Sequence, residues 1–205
     1  MNVNDERPLR LLWLDIETTG VDPRTDRVLE ISAWVTGMDA GRVLARFHAI
    51  CRPYAWESFR QGLSAWADRT HSANGLLAAV DAADPVDAQW VETRRRFDRF
   101  VAEQAQEARL RPAGWNVQFD VRWLTRLTPG TMRLLDYRQM DVQSLCALIQ
   151  DLNRPVGDLI ISQAGTTDHR SEHCLTMEVE RYRLCRAAIL NGPLGSHKEA
   201  SCTTN

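Results

Sequence analysis

Long apolar runs are missing from this 205-residue chain. None approaches the length of a bilayer span, so no membrane-crossing helix is expected. The opening residues, Met-Asn-Val-Asn-Asp-Glu-Arg, lack the apolar core of a signal peptide. Paired cysteine spacing is missing too. Cys51, Cys146, Cys174, Cys185 and Cys202 are odd in number and scattered, which argues against a disulfide framework or a zinc ribbon. Reduced thiols in a cytoplasmic setting are expected instead. Charge of one sign is not in excess: the formal net charge is −2, which excludes a broadly cationic nucleic-acid coat. A polyanion bound by such a chain would be short, or held by local arginines and metal. No internal repeat and no second domain are visible. A single domain is expected over residues 8–190, followed by a polar, disordered tail over 191–205.

What is present is ordinary globular material, 44% hydrophobic and 25% charged, long enough for a full core. Strands are expected over residues 10–15, 27–36 and 42–51, with residues 37–41 making a hairpin connection. Helices are expected over 72–82 and 88–108, the latter with Trp90, Val91, Phe97, Phe100, Val101 and Ala105 at helical spacing. A fourth strand at 112–115, a helix over 119–127, a fifth strand within 134–142 and a helix over 142–152 follow. Residues 153–167 read as loop, and the last helix runs from 169 or 171 to 190. Three strands in a meander, then helices alternating with two more strands, predict an α/β fold: a mixed five-stranded sheet flanked by helices.

The most informative run is Leu-Leu-Trp-Leu-Asp15-Ile-Glu17-Thr18-Thr19-Gly20. Its apolar start reads as a buried strand, and residues two apart on a strand share a face, so Asp15 and Glu17 project together. Close like charges repel, and one would tend to keep its proton unless a divalent cation sits between them. Hard oxygen ligands of this kind suit Mg²⁺ or Mn²⁺. Asp120 opens the helix after the fourth strand, where a carboxylate is also favoured by the helix N-terminus. It reads either as a helix-start residue or as a further metal carboxylate, and the presence of Asp15 and Glu17 favours the second. His169 reads either as a structural histidine or as a proton-relaying base, and its place after the loop Gly165-Thr-Thr-Asp favours the base. Arg122 and Arg126 lie four apart on one helix face and suit either phosphate or solvent. Arg94-Arg95-Arg96 reads as a solvated face paired with Glu92, Asp98 and Glu103.

Together these pieces resemble the DEDDh 3′–5′ exonucleases, which have an RNase H-like fold. Asp15 and Glu17 match the first motif, Asn116-x-x-Phe119-Asp120 the second, and His169 the histidine of the third. Within that superfamily the chain is most similar to the oligoribonuclease family, over roughly residues 10–188. Trp66-Ala-Asp-Arg-Thr-His71 and Tyr137-Arg138-Gln-Met-Asp141-Val142 carry the likeness further. The resemblance implies hydrolysis of short single-stranded RNA from its 3′ end to nucleoside 5′-monophosphates, with two Mg²⁺ or Mn²⁺ ions clamping the scissile phosphate. It implies metal ligation by Asp15, Glu17 and Asp120, and proton removal from the attacking water by His169. Val21 would wedge between bases, with Thr18, Trp66 and Asn116 beside the substrate. In the homodimer that the resemblance implies, Tyr137 would stack on a base and Arg138 would meet a phosphate.

The chain departs from the family at one ligand. Five residues after His169, where the family has its last aspartate, stands Cys174, preceded by His173. A thiol is a soft partner for Mg²⁺. Either His173, Cys174 or Glu172 adjusts to hold a softer ion such as Mn²⁺, or three carboxylates suffice for slow turnover, or the chain binds oligonucleotide ends without cutting. Asp136 and Gln143 stand where the family has residues for a terminal phosphate, so a strict dinucleotide preference is not expected. Single-stranded DNA, cut by a proofreading-like activity, is the alternative substrate.

Overall fold

The structure is a computed structural model that describes residues 6–192. The tail beyond residue 192, with Cys202, lies outside the described residues. The chain opens with a meander, β1 (Leu9–Thr18), β2 (Val28–Gly37) and β3 (Val43–Ile50). Three helices follow, α1 (Trp56–Arg60), α2 (Ala65–Ala73) and α3 (Leu76–Ala82), then the long α4 (Trp90–Glu107). β4 (Arg109–Gly114), α5 (Gln118–Leu127), α6 (Pro129–Met132) and β5 (Met140–Asp141) complete the sheet. α7 (Val142–Leu152), α8 (Arg154–Gln163) and α9 (Ser171–Asn191) end the fold. The sheet has the order β3-β2-β1-β4-β5, with β1 antiparallel to β2 and parallel to β4. This is the mixed five-stranded α/β sheet of an RNase H-like fold. Among the described residues no helix is long and apolar enough to cross a membrane.

Strand alternation assigns the two faces. Leu12, Leu14 and Ile16 of β1 face one layer, packed against Phe97 and Val101 of α4 and Trp123 of α5. Leu11 and Trp13 face the other, packed against Val142 and Cys146 of α7 and Leu175, Val179 and Tyr182 of α9. Asp15 and Glu17 continue the second series, so the helix layer they meet is α9.

β2 locks that helix in place through Glu30, whose side chain is only 1% exposed. Its carboxylate accepts from Arg170 Nη2 at 2.8 Å, His48 Nε2 at 3.0 Å and the Ser171 backbone N–H at 2.8 Å. Burial alone would raise its pKa, but these donors hold it down at about 2. Next to it Ser32 Oγ and Ser171 Oγ are 2.7 Å apart. The first turn of α9 is thereby tied to the middle of the sheet.

Two expectations are revised. Residues 153–167 are not simply loop, because α8 fills most of them. Asn153 caps it by accepting from the Val156 N–H at 3.4 Å, and Pro155 sits in its first turn. Gly157 lets α8 cross closely over α7: a Cβ there would lie 2.3 Å from Gln150 Cγ and 2.6 Å from its Cα. The helix expected over 72–82 is divided at Gly75, whose φ of +77° suits a residue without Cβ, and α1 and α2 precede it. α1 owes its position to tertiary contact: Trp56 is buried and its indole N–H donates to Asp81 Oδ1 at 2.7 Å. The fifth strand, expected within 134–142, is Met140–Asp141, paired with Ala113 and Gly114.

Glu30→Ala should lower stability by about 3 kcal/mol, because it leaves Arg170, His48 and the Ser171 N–H without their acceptor. The wild-type carboxylate also contributes stability that is present above its ordinary pKa of 4.5 and is lost as the pH falls toward 2. Urea melts at neutral and acid pH check both: the gap between wild type and variant should narrow in acid.

Candidate active site at the end of the central strand

β1 and β4 stay paired only from Leu9/Arg109 to Trp13/Ala113. Beyond that point β4 turns away through Gly114, where a Cβ would lie 2.9 Å from the Leu14 carbonyl oxygen. Asn116 takes a left-handed φ of 52°, and the Val117 N–H donates to Asp141 Oδ2 at 3.2 Å, fixing the turn into α5. The divergence frees the Ile16 N–H from the ladder, and Asp120 Oδ1 accepts it at 3.0 Å. On its other edge β1 loses register with β2 between Glu17 and Thr18, a bulge that bends the strand end. A cavity of about 940 Å³ opens there.

Asp15, Glu17 and Asp120 meet in this cavity, and His169 and Cys174 also line it. Ligand atoms of Asp15, Glu17 and Cys174 all lie within 4.8 Å of one another. Burial, reinforced by the charge of Glu30, pushes Asp15 up to about 7. Burial, then the neighbouring Asp15, Glu30 and Asp120 charges, pushes Glu17 up to about 9. Asp120 is raised as well, by burial and by Asp15. Asp15 Oδ2 is buried without a hydrogen-bond partner. Among the described residues Arg181 is the sole arginine lining the cavity, so acid predominates. Crowded hard oxygens, one of them unpartnered, fit divalent cations of the Mg²⁺ or Mn²⁺ class. The Cys174 thiol is buried and its pKa is raised, so it stays protonated; its sulfur is 3.0 Å from Thr167 Oγ1 and 3.9 Å from Glu17 Oε1.

His169 stands in a left-handed conformation (φ 56°) just before α9. Asn74 Nδ2 donates to the carbonyl oxygens of Asp168 and His169, at 2.9 and 2.6 Å, and the His169 N–H donates to Thr167 Oγ1 at 3.0 Å. Its ring meets the edge of Trp66 with centroids 5.5 Å apart, and Trp66 in turn meets His71 at 5.7 Å. His71 is fully buried and its Nε2–H donates to the Thr18 carbonyl at 3.1 Å, tying α2 to the end of β1.

Thr18, Val21, Trp66 and Asn116 lie around the same cavity, with Val21 73% exposed. Five other candidates lie elsewhere. His173 turns outward to pair with Asp168 at 2.9 Å and is not among the cavity-lining residues. Tyr137 and Arg138 also lie outside the cavity, stacked on each other at 4.4 Å, with Tyr137 66% exposed. Arg122 and Arg126 hold the loop after β1 by donating to the Val21 and Pro23 carbonyls, at 2.8 and 3.1 Å. Two contributors were missed. Asn74 carries no local signal of its role. Glu178 carries one: it is an acid on the inward stripe of α9, one turn beyond Cys174, between apolar Leu175 and Tyr182.

No family model matches the chain. It is 31% identical over 188 residues to an oligoribonuclease of Alkalilimnicola ehrlichii, covering 89% of this chain and 91% of that one. An oligoribonuclease of Coxiella burnetii is 30% identical over 185 residues, covering 88% and 94% respectively. One from Paracidovorax citrulli is 33% identical over 138 residues, covering 67% and 68%. Among solved structures, E. coli exonuclease I in complex with a dT13 oligonucleotide superposes with a TM-score of 0.61 at 13% identity. That match covers 92% of this chain but only 42% of the exonuclease I chain, and it speaks to the fold alone.

The raised carboxylates make metal response pH-dependent. Without metal the folded state holds protons on Asp15 and Glu17 that the unfolded chain has released, so their contribution to stability falls as pH rises from 3.8–4.5 toward about 9. A bound cation displaces those protons. The rise in melting temperature on adding Mg²⁺ or Mn²⁺ over chelator should therefore grow with pH across that interval. A shift of equal size at all pH values would exclude these carboxylates as ligands.

Proposed function

The chain belongs to the oligoribonuclease family, and we propose that it is a divalent-metal-dependent 3′–5′ exonuclease that trims short single-stranded RNA to nucleoside 5′-monophosphates. The observation that carries this reading is the convergence of Asp15, Glu17 and Asp120 in one cleft, with Asp15 Oδ2 unpartnered. These three carboxylates would hold two ions, Mg²⁺ or Mn²⁺. Bound there, the ions supply charge stabilisation at the attacking and leaving oxygens of the scissile phosphate.

The remaining work falls to the protein's own groups. His169 takes the proton of the attacking water, its backbone held by Asn74. Trp66, half exposed at the cavity rim, gives the terminal base a stacking surface worth about 1–3 kcal/mol. Val21 wedges against the next base, and Thr18 and Asn116 meet the sugar-phosphate. The acidic cavity suits a short substrate end and disfavours extended polyanion tracts. In a homodimer, Tyr137 and Arg138 would extend one protomer's cleft with an aromatic face and a phosphate-binding guanidinium. Their exposure and their distance from their own cavity support that role. The proposed setting is the cytoplasm.

Cleavage of 5′-labelled RNA and DNA oligonucleotides of graded length tests the reading. Loss of nucleotides from the 3′ end is expected with Mg²⁺ or Mn²⁺ and not with chelator. Asp15→Ala should lower the rate by about 10²–10³-fold or more. Matched RNA and DNA ladders report whether the 2′-hydroxyl is read; equal rates on both would point to the broader, proofreading-like substrate range. A wild-type chain that binds these oligonucleotides without shortening them in either metal would sink the exonuclease reading in favour of a binding protein.

A further inference from the structure

A central strand and the helix lying over it can keep step. Two strand residues advance about 6.6–6.8 Å, and four helix residues advance about 6 Å. β1 and α9 show two such meeting points. Trp13 packs edge-on against Tyr182, with ring centroids 5.4 Å apart. Two strand steps further on, Cys174 Sγ lies 3.9 Å from Glu17 Oε1. Midway between them the strand presents Asp15 and the helix presents Glu178. The same pairing appears electrostatically: after burial, the charge that acts most on Glu178 is that of Asp15, followed by Asp120.

Glu178 is 3% exposed and lines the same cavity. Its Oε2 is buried without a hydrogen-bond partner, as is Asp15 Oδ2. The groups that temper its charge are the Trp115 backbone N–H and Arg181, whose Nη2 donates to the Gly165 carbonyl at 2.9 Å while its Nε is buried without a partner. Gly114 leaves room at this point, since a Cβ there would stand 3.4 Å from Oε2. A carboxylate used only for structure would be satisfied, as Glu30 is by three donor groups. Here an oxygen is held dry, facing other carboxylates, in an arrangement that a cation between them resolves.

We propose that Glu178 is a metal-holding carboxylate of this site, completing with Asp15, Glu17 and Asp120 a set of four hard ligand groups, while Cys174 packs beside them. The inference rests on the exonuclease reading for the use of the ions, but not for their binding. It makes a chain with a thiol at position 174 competent to hold hard divalent cations.

Glu178→Gln keeps the shape and removes the charge. Mn²⁺ titration of the full chain by calorimetry should show affinity about 10–100-fold weaker than wild type, on the scale seen when metal-site partners are lost. In chelator the variant should melt no lower than wild type, since it replaces a buried carboxyl whose Oε2 has no hydrogen-bond partner and whose ionisation burial and Asp15 oppose. Cys174→Asp combined with Glu178→Gln returns a carboxylate one turn away and should recover Mn²⁺ affinity over Glu178→Gln alone. Equal Mn²⁺ affinity in wild type and Glu178→Gln, or a double variant no better than the single one, overturns the assignment. So does a Glu178→Gln chain that melts lower in chelator, which would mark the carboxylate as structural. If wild type fails to cleave oligonucleotides, the exonuclease reading falls while the Mn²⁺ comparison still decides Glu178. If wild type cleaves and the two chains bind Mn²⁺ alike, only the role of Glu178 falls.

Discussion

Carboxylates gathered in one largely dry cleft are the constraint around which the molecule is arranged. Each one loses hydration and each raises the energy of its neighbours' charged forms. Asp15, Glu17, Asp120 and Glu178 all show the result, with pKa values shifted upward by burial first and next by a neighbouring carboxylate, Glu30 for Asp15 and Asp15 for the other three. Protons or cations must relieve that repulsion. A protein that only needed a stable core would fill the space with apolar side chains, as the neighbouring residues Leu11, Trp13, Leu175 and Val179 do.

The surrounding structure resists this internal repulsion by rigid means. β1 is the central strand, paired on both edges, and its flanking layers are anchored by large buried side chains such as Trp13, Phe97 and Trp123. The Glu30–Arg170–His48 group is the electrostatic opposite of the cleft: a buried carboxylate with its lone pairs taken up. One is satisfied and holds α9 to the sheet. The other is unsatisfied and available to ligands. Their proximity in the fold places a fixed helix start directly beside a charged cavity, with His169 on the segment that joins them.

Much of the fold was legible because its signals are local. The meander, α4, α5, α7 and α9 follow from the hydrophobic period of each segment, and each appears within a few residues of its expected place. The pairing of Asp15 with Glu17 on one face follows from strand geometry alone, and both line the cavity. α8 was not legible, because its formation depends on a close crossing with α7 that Gly157 permits against Gln150. α1 was hidden for a like reason: a buried Trp56 hydrogen-bonded to Asp81 holds a short helix that local propensity does not announce. His173 looked available from its place beside Cys174, but helix geometry turns neighbours about 100° apart, and it pairs with Asp168 outside the cavity.

The sequence by itself determined the strand carrying Asp15 and Glu17, the helix opening with Asp120, the histidine before the last helix and the substitution at Cys174. These are statements about residues close along the chain, where backbone geometry sets spacing. Only the tertiary structure decided that Glu178 belongs with them, that Asn74 pins His169, and that Tyr137 and Arg138 stand apart from their own cavity. Which turn of α9 lies over which residue of β1 depends on how Trp13 fits against Tyr182 and how Glu30 grips Arg170. That fit is set by side-chain shapes and charges brought together from opposite ends of the chain, and no local period encodes it.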